Sequence, residues 1–200
     1  MSWVYGTNVE CIYASTAVGI AKASFTTEIG INDVATMGPQ AYLPSGFWGP
    51  GPNQEGKAVH ITARGILSST ATPTYTFSLR LGGIASITGP IVLGSAALIT
   101  TTTVTNAPWE LEGDIVLTNV GVAAAAATVR GIGRIICPGL AAVAPPAGIY
   151  QPLWGGAASP GTVATVDLTA TNYINFNVAC SASNAANTIT LQQLLVFGLN

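Results

Sequence analysis

The stretch Thr74-Tyr-Thr-Phe-Ser-Leu-Arg-Leu81 decides the fold class of this 200-residue chain. Its apolar residues Tyr75, Phe77, Leu79 and Leu81 alternate with Thr74, Thr76, Ser78 and Arg80. That is the two-residue period of a strand with one face in a core and the other at the surface. The period recurs in Trp109, Leu111, Gly113, Ile115 and Leu117 against Glu110, Glu112 and Asp114. It recurs again in Val59, Ile61 and Ala63 against His60, Thr62 and Arg64, and in Ile174, Phe176, Val178 and Cys180 against Asn175 and Asn177. Less regular strands are expected over residues 89–103, 123–137, 162–169 and 188–197, each bounded by Gly, Pro or Asn. The last holds Leu191, Leu194, Leu195, Val196 and Phe197 with little alternation, which reads as burial on both faces. Residues 122–127 are alanine-rich, but flanking glycine and β-branched neighbours favour strand or loop over helix. About eight short antiparallel strands without helices predict an all-β fold, an antiparallel β-sandwich of jelly-roll type spanning residues 57–200.

Residues 1–56 read differently. They hold Pro39, Pro44, Pro50 and Pro52 and the run Pro44-Ser-Gly-Phe-Trp-Gly-Pro-Gly-Pro52, which cannot be a central strand because proline lacks the ladder donor. The expectation is an extended N-terminal arm. Its aromatic load of Trp3, Tyr5, Tyr13, Phe25, Tyr42, Phe47 and Trp48 is unlike that of a disordered tail. These rings need a surface to pack on, and they are assigned to assembly contacts with neighbouring subunits. Removing residues 1–42 is then expected to leave the sandwich folded and to abolish attachment. A second proline-rich stretch, Pro138 to Pro160 with Tyr150 and Trp154, is expected to cross one end of the sandwich.

Only 7% of residues are charged, against about 25% in an ordinary soluble domain. Much of the surface is therefore uncharged, and a formal net charge of -2 protects it poorly against self-association. A homo-oligomer or larger assembly is the natural expectation. No basic stripe is available for phosphates, so nucleic acid is not an expected partner. Thr, Asn, Gly or Pro interrupts every apolar run before membrane-spanning length, so no membrane is expected either. The start lacks the basic and continuous apolar regions of a secretory signal, which implies synthesis in the cytoplasm. Cys11, Cys137 and Cys180 are odd in number and lack CxxC spacing, so they are expected to be buried free thiols.

A hydroxyl or thiol nucleophile needs a base beside it, and His60, the one histidine, lies on the polar side of its strand with Thr62 and Arg64. Glu110, Glu112 and Asp114 share one strand face at about 7 Å spacing. They read as a solvated acidic face opposed across strands by Arg64 and Arg80, in preference to a cation site or a hydrolytic pair. Gly131-Ile-Gly-Arg134 is too short for a dinucleotide fingerprint and reads as a strand bend. No catalytic residue, no cofactor and no metal is assigned.

Five segments also carry a resemblance: Ser24-Phe-Thr-Thr-Glu28, Leu43-Pro-Ser-Gly-Phe-Trp48, Gly56-Lys-Ala-Val-His-Ile-Thr-Ala-Arg-Gly65, Pro73-Thr-Tyr-Thr-Phe-Ser-Leu-Arg-Leu-Gly82 and Asn106-Ala-Pro-Trp-Glu-Leu-Glu112. Together they resemble small jelly-roll virion proteins of tailed bacteriophages, which are capsid decoration (cement) proteins or tail-fibre domains. The resemblance implies a structural role in the virion, commonly as a trimer, with the major capsid protein or other virion proteins as partners. A decoration protein seated where capsomers meet is the first expectation. A tail-fibre or receptor-binding domain is the second, although the coiled coil or repeat of a shaft is not visible. A carbohydrate-binding module, with Trp48 or Trp154 stacking on sugar rings, is the third.

Overall fold

The computed structural model describes residues 9–32, 36–48, 55–85, 87–100, 102–121, 126–142, 150–154 and 164–199. Every regular element among them is a β-strand. Four short strands come first: β1 (Val9–Ala14), β2 (Lys22–Ala23), β3 (Ile29–Gly30) and β4 (Tyr42–Leu43). The long alternating segments follow as β5 (Ala58–Ser69), β6 (Thr74–Gly82), β9 (Val104–Asn119), β10 (Ala127–Ile136), β14 (Asn172–Cys180) and β15 (Thr188–Leu199). Between them lie β7 (Ile91–Gly94), β8 (Leu98–Thr100), β11 (Leu140–Ala142), β12 (Tyr150–Trp154) and β13 (Ala164–Val166).

The architecture is an all-β, antiparallel, sandwich-like arrangement. Strands run in the order β1-β15-β5-β9-β10 through one layer, and the path continues through β12 to β7-β6-β14-β3. Alternation decides which side chains meet between the layers. Val59, Ile61 and Leu67 of β5, Trp109, Leu111 and Ile115 of β9, Phe77 and Leu79 of β6 and Phe176 of β14 are all buried. Trp109 from one layer meets Phe77 and Phe176 from the other, with ring centroids 6.0 and 5.4 Å apart, within the range for favourable aromatic pairs.

Two glycines are dictated by this packing. A Cβ on Gly65 would strike the Thr190 carbonyl oxygen and come within 2.6 Å of the Trp109 ring. A Cβ on Gly131 would strike the Val92 carbonyl oxygen where β7 crosses β10. The expected bend at Gly131–Arg134 is therefore corrected: β10 stays regularly paired there with β9, and the glycine permits close backbone approach.

Sequence reading expected about eight strands. The excess comes from segments too short to alternate visibly: residues 89–103 divide into β7 and β8, and the proline-rich stretch contributes β11 and β12. Residues 143–149 and 155–160 of that stretch, and residues 122–125, lie outside the described residues.

The N-terminal segment differs most from expectation. β1 pairs along β15 from Val9↔Leu199 to Ala14↔Leu195, β2 also pairs with β15, and β3 and β4 pair with β14. Phe25, Ile31, Met37, Leu43 and Trp48 belong to the same buried cluster as the sandwich strands. The Arg80 guanidinium donates to Glu28 through Nε and Nη2, both at 2.8 Å, and Ser78 also donates to Glu28. Arg80 thus fastens the N-terminal segment and does not oppose the acidic face of β9.

Candidate functional site

The outward face of β15, β5, β9 and β10 forms a grid that alternation builds strand by strand. Across it run the rows Phe197, His60, Asp114 and Ile132; Leu195, Thr62, Glu112 and Arg134; and Gln193, Arg64, Glu110 and Ile136. Six of the chain's fourteen charged residues lie here (Arg64, Glu110, Glu112, Asp114, Arg130 and Arg134), together with its one histidine. The carboxylates are matched in the plane of the sheet. Arg64 donates to Glu110 at 3.0 Å, Arg134 lies 2.6 Å from Glu112, and His60 Nδ1 lies 2.7 Å from Asp114. The Glu110 carboxylate also holds the Arg64 guanidinium above its ordinary pKa.

Sequence reading found no nucleophile beside His60. The structure places Thr62 Oγ1 3.3 Å from His60 Nε2, on the far side of the ring from Asp114. A carboxylate on Nδ1 accepts its proton and leaves Nε2 to accept from the threonine hydroxyl. Hydroxyl, imidazole and carboxylate therefore stand in the order of an acyl-transfer triad. What such chemistry further needs is a pair of free donors for the oxyanion. Strand β5 is bonded on both edges, to β9 at Thr62↔Glu112 and to β15 at Thr62↔Leu195, so its backbone donors are engaged in the ladders. Thr62 itself is only 8% exposed. Thr62, His60 and Asp114 form one continuous hydrogen-bond chain across the sheet face.

Two hollows open on this face. One of about 260 Å³ is lined by His60, Glu112, Asp114, Ile132 and Arg134. The other, of about 350 Å³, is lined by Arg64, Pro108, Glu110, Ile136, Pro138 and Gln192. Among the described residues no cluster of three or more His, Cys, Asp or Glu side chains is arranged to hold a metal ion.

A second surface gathers part of the predicted assembly set. Tyr13, Tyr42 and Phe47 line a crevice of about 310 Å³ together with Glu10, Cys11 and Pro44. Tyr42 is 46% exposed, and its ring lies 5.8 Å from that of Tyr173. Lys57 Nζ sits 4.5 Å from the Phe47 ring centroid and donates to the Phe47 carbonyl at 2.5 Å. Tyr13 donates to the Met37 carbonyl at 3.4 Å, and burial raises its phenol pKa. Next to Tyr173 in the ladder stands Gly82, and the loop beyond it is held by Gln40, which accepts from the Ala85 amide at 2.9 Å. That loop exposes Ile84 and Ile87.

Two assigned contact residues are corrected. Phe25 and Trp48 are buried in the chain's own core, because the segment that carries them is hydrogen-bonded into the sheets; neither is presented to a neighbour, and Trp48 is not available to stack on a sugar. Trp3 and Tyr5 lie outside the described residues. Cys11 is also corrected, from buried to exposed, since edge strand β1 turns it outward, whereas Cys137 and Cys180 are buried. Sequence reasoning missed Arg134 as the partner of Glu112 and Glu28 as the partner of Arg80. Alternation marks Arg134 as outward-facing, but nothing in it names the neighbouring strand.

No protein-family model matches the chain, and no curated protein matches it. Among solved structures it is similar to the CBM2 module of the evolved Dit of Lactobacillus casei BL23 phage J-1, at 10% identity over 97% of each chain, with a TM-score of 0.37. A likeness this distant carries no argument about function.

Proposed function

We propose that the protein is a structural component of a tailed-phage virion: a non-catalytic decoration subunit that binds the capsid surface and stabilises it as a homo-oligomer, with a trimer favoured. The observation that carries this reading is the uneven surface. Nearly half of a small complement of charges sits on one sheet face, whereas Ile84, at 61% exposure, Ile87 and Tyr42 put apolar side chains into solvent outside that face. An exposed apolar region rimmed by polar residues is the usual mark of a contact surface. A subunit seated through these apolar side chains, with its charged face left in water, has this polarity. The resemblance in Leu43–Trp48, Gly56–Gly65 and Pro73–Gly82 supports a place in the virion.

The test is rebinding of the purified full chain to particles that lack it. Tyr42→Ser combined with Ile84→Ser is expected to abolish rebinding, while Arg130→Ser on the charged face leaves it unchanged. Rebinding by the Tyr42→Ser/Ile84→Ser variant at the parent level, or labelling that puts the subunit on the tail, refutes the reading.

A further inference from the structure

The two hollows on the charged face are not used by docking through Tyr42 and Ile84. We propose that they form one continuous track, laid along β9, that binds a neutral linear oligosaccharide. They lie at adjoining rows of the same three strands, the Glu112–Arg134 pair of the first next to the Glu110–Ile136 row of the second. From Pro108 to Asp114 the track is about 20 Å long, at about 3.4 Å per strand residue.

Its chemistry suits vicinal hydroxyls. Each carboxylate acceptor stands within 2.6 to 3.0 Å of a donor: Glu112 by Arg134, Asp114 by His60, Glu110 by Arg64. A sugar hydroxyl set beside either arginine pair donates to the carboxylate and accepts from a guanidinium N–H at once. The pairs already hold these side chains in place, so little rotamer freedom remains to be lost on binding. Apolar contact for the C–H faces of the rings comes from Ile132, 59% exposed, and from Ile136 and Pro108. Phe197 adds to it at one end, with its ring 6.4 Å from that of His60.

The same features argue against other ligands. Two arginines against three carboxylates line the hollows, which offers no attraction to phosphates or other polyanions. A divalent cation would have to strip Arg64, Arg134 and His60 from the carboxylates. An extended peptide cannot add as a strand, because β5, β9 and β10 are each paired on both sides.

The full chain is applied to an array of neutral and anionic oligosaccharides, and each retained sugar is titrated by calorimetry. A neutral oligosaccharide is expected to bind, with affinity falling roughly tenfold or more in Ile132→Ser and in Glu112→Gln combined with Arg134→Gln. These variants should keep the parent melting temperature, and Tyr42→Ser should bind as the parent does. Retention of anionic sugars alone, retention of no sugar, or a neutral sugar whose affinity these variants leave unchanged overturns the proposal. So does self-association, read by sedimentation, that the same substitutions abolish, since the face then lies between copies of the chain.

Discussion

Replacing Trp48 with alanine tests whether the N-terminal segment belongs to the core or serves only as a latch. The side chain is 1% exposed and packs edge-on against Phe47 with centroids 5.2 Å apart. Emptying such a site costs about 3–5 kcal/mol, part of it the aromatic pair at roughly 0.5–1.5 kcal/mol. For a chain of this size each kcal/mol moves the melting temperature by about 2–4 °C, so Trp48→Ala should melt about 6–20 °C below the parent. A latch residue that touched only other subunits would shift the isolated chain by no more than about 0.5 kcal/mol. Tyr42→Ala serves as the control, because that side chain is half in water and its loss should stay near the latch figure. Thermal melts followed by near-ultraviolet circular dichroism, with urea midpoints beside them, separate the two outcomes. If Trp48→Ala melts within about 1 °C of the parent, the segment adds nothing to the core. The same reasoning reverses the expectation for removing residues 1–42. That deletion takes Phe25, Ile31 and Met37 out of the buried cluster and leaves Arg80 without Glu28, so the shortened chain should lose cooperative melting.

Trp109→Ala should cost about 3–5 kcal/mol, since the ring joins the two layers through Phe77 and Phe176; a loss below about 1 kcal/mol in urea melts would contradict the packing described. Acid stability should depend on Glu28. Burial disfavours its charged form, but hydrogen bonds from Arg80 and Ser78 and the Arg80 charge outweigh that and hold its pKa below the ordinary 4.5. A depressed folded-state pKa contributes stability that is fully present above the unfolded value and is lost as pH falls through the folded one. Glu28→Gln should accordingly destabilise the chain at neutral pH and flatten the pH dependence of its melting temperature below about pH 4.5; identical pH profiles for variant and parent would count against the clamp. A thiol reagent should modify Cys11 alone in the native chain and all three cysteines after denaturation, because burial protects Cys180 and both protects Cys137 and pushes its pKa up. Ester hydrolysis by the purified chain should be unaltered in His60→Ala and Thr62→Val; activity lost in both, with melting unchanged, would make the Thr62–His60–Asp114 chain a catalytic one.

The fold class was legible because it rests on a local signal. A strand with one buried face must alternate, and the sequence does so over Thr74–Leu81 and Trp109–Ile115, so the inward set Tyr75, Phe77, Leu79, Trp109, Leu111 and Ile115 could be named residue by residue. Alternation cannot identify which strand lies beside which. Glu112 was visibly outward, but its neighbour Arg134 arrives from β10 through a pairing fixed only when the whole sheet closes. Arg80 was likewise visibly outward, and the strand that reaches it carries Glu28, 52 residues away in a segment with two-residue strands. Proline and glycine misled for a related reason. They forbid a central strand, which is true of residues 44–48, but they say nothing against short edge pairings beside them. Leu43 and Trp48 flank Pro44–Phe47 and are both buried, so a run that cannot pair still threads its apolar residues into the core. The candidate site inherits the same asymmetry: its side chains could be read from period two, whereas the hollows and the pairing that gives them shape exist only once β5, β9 and β10 lie in register.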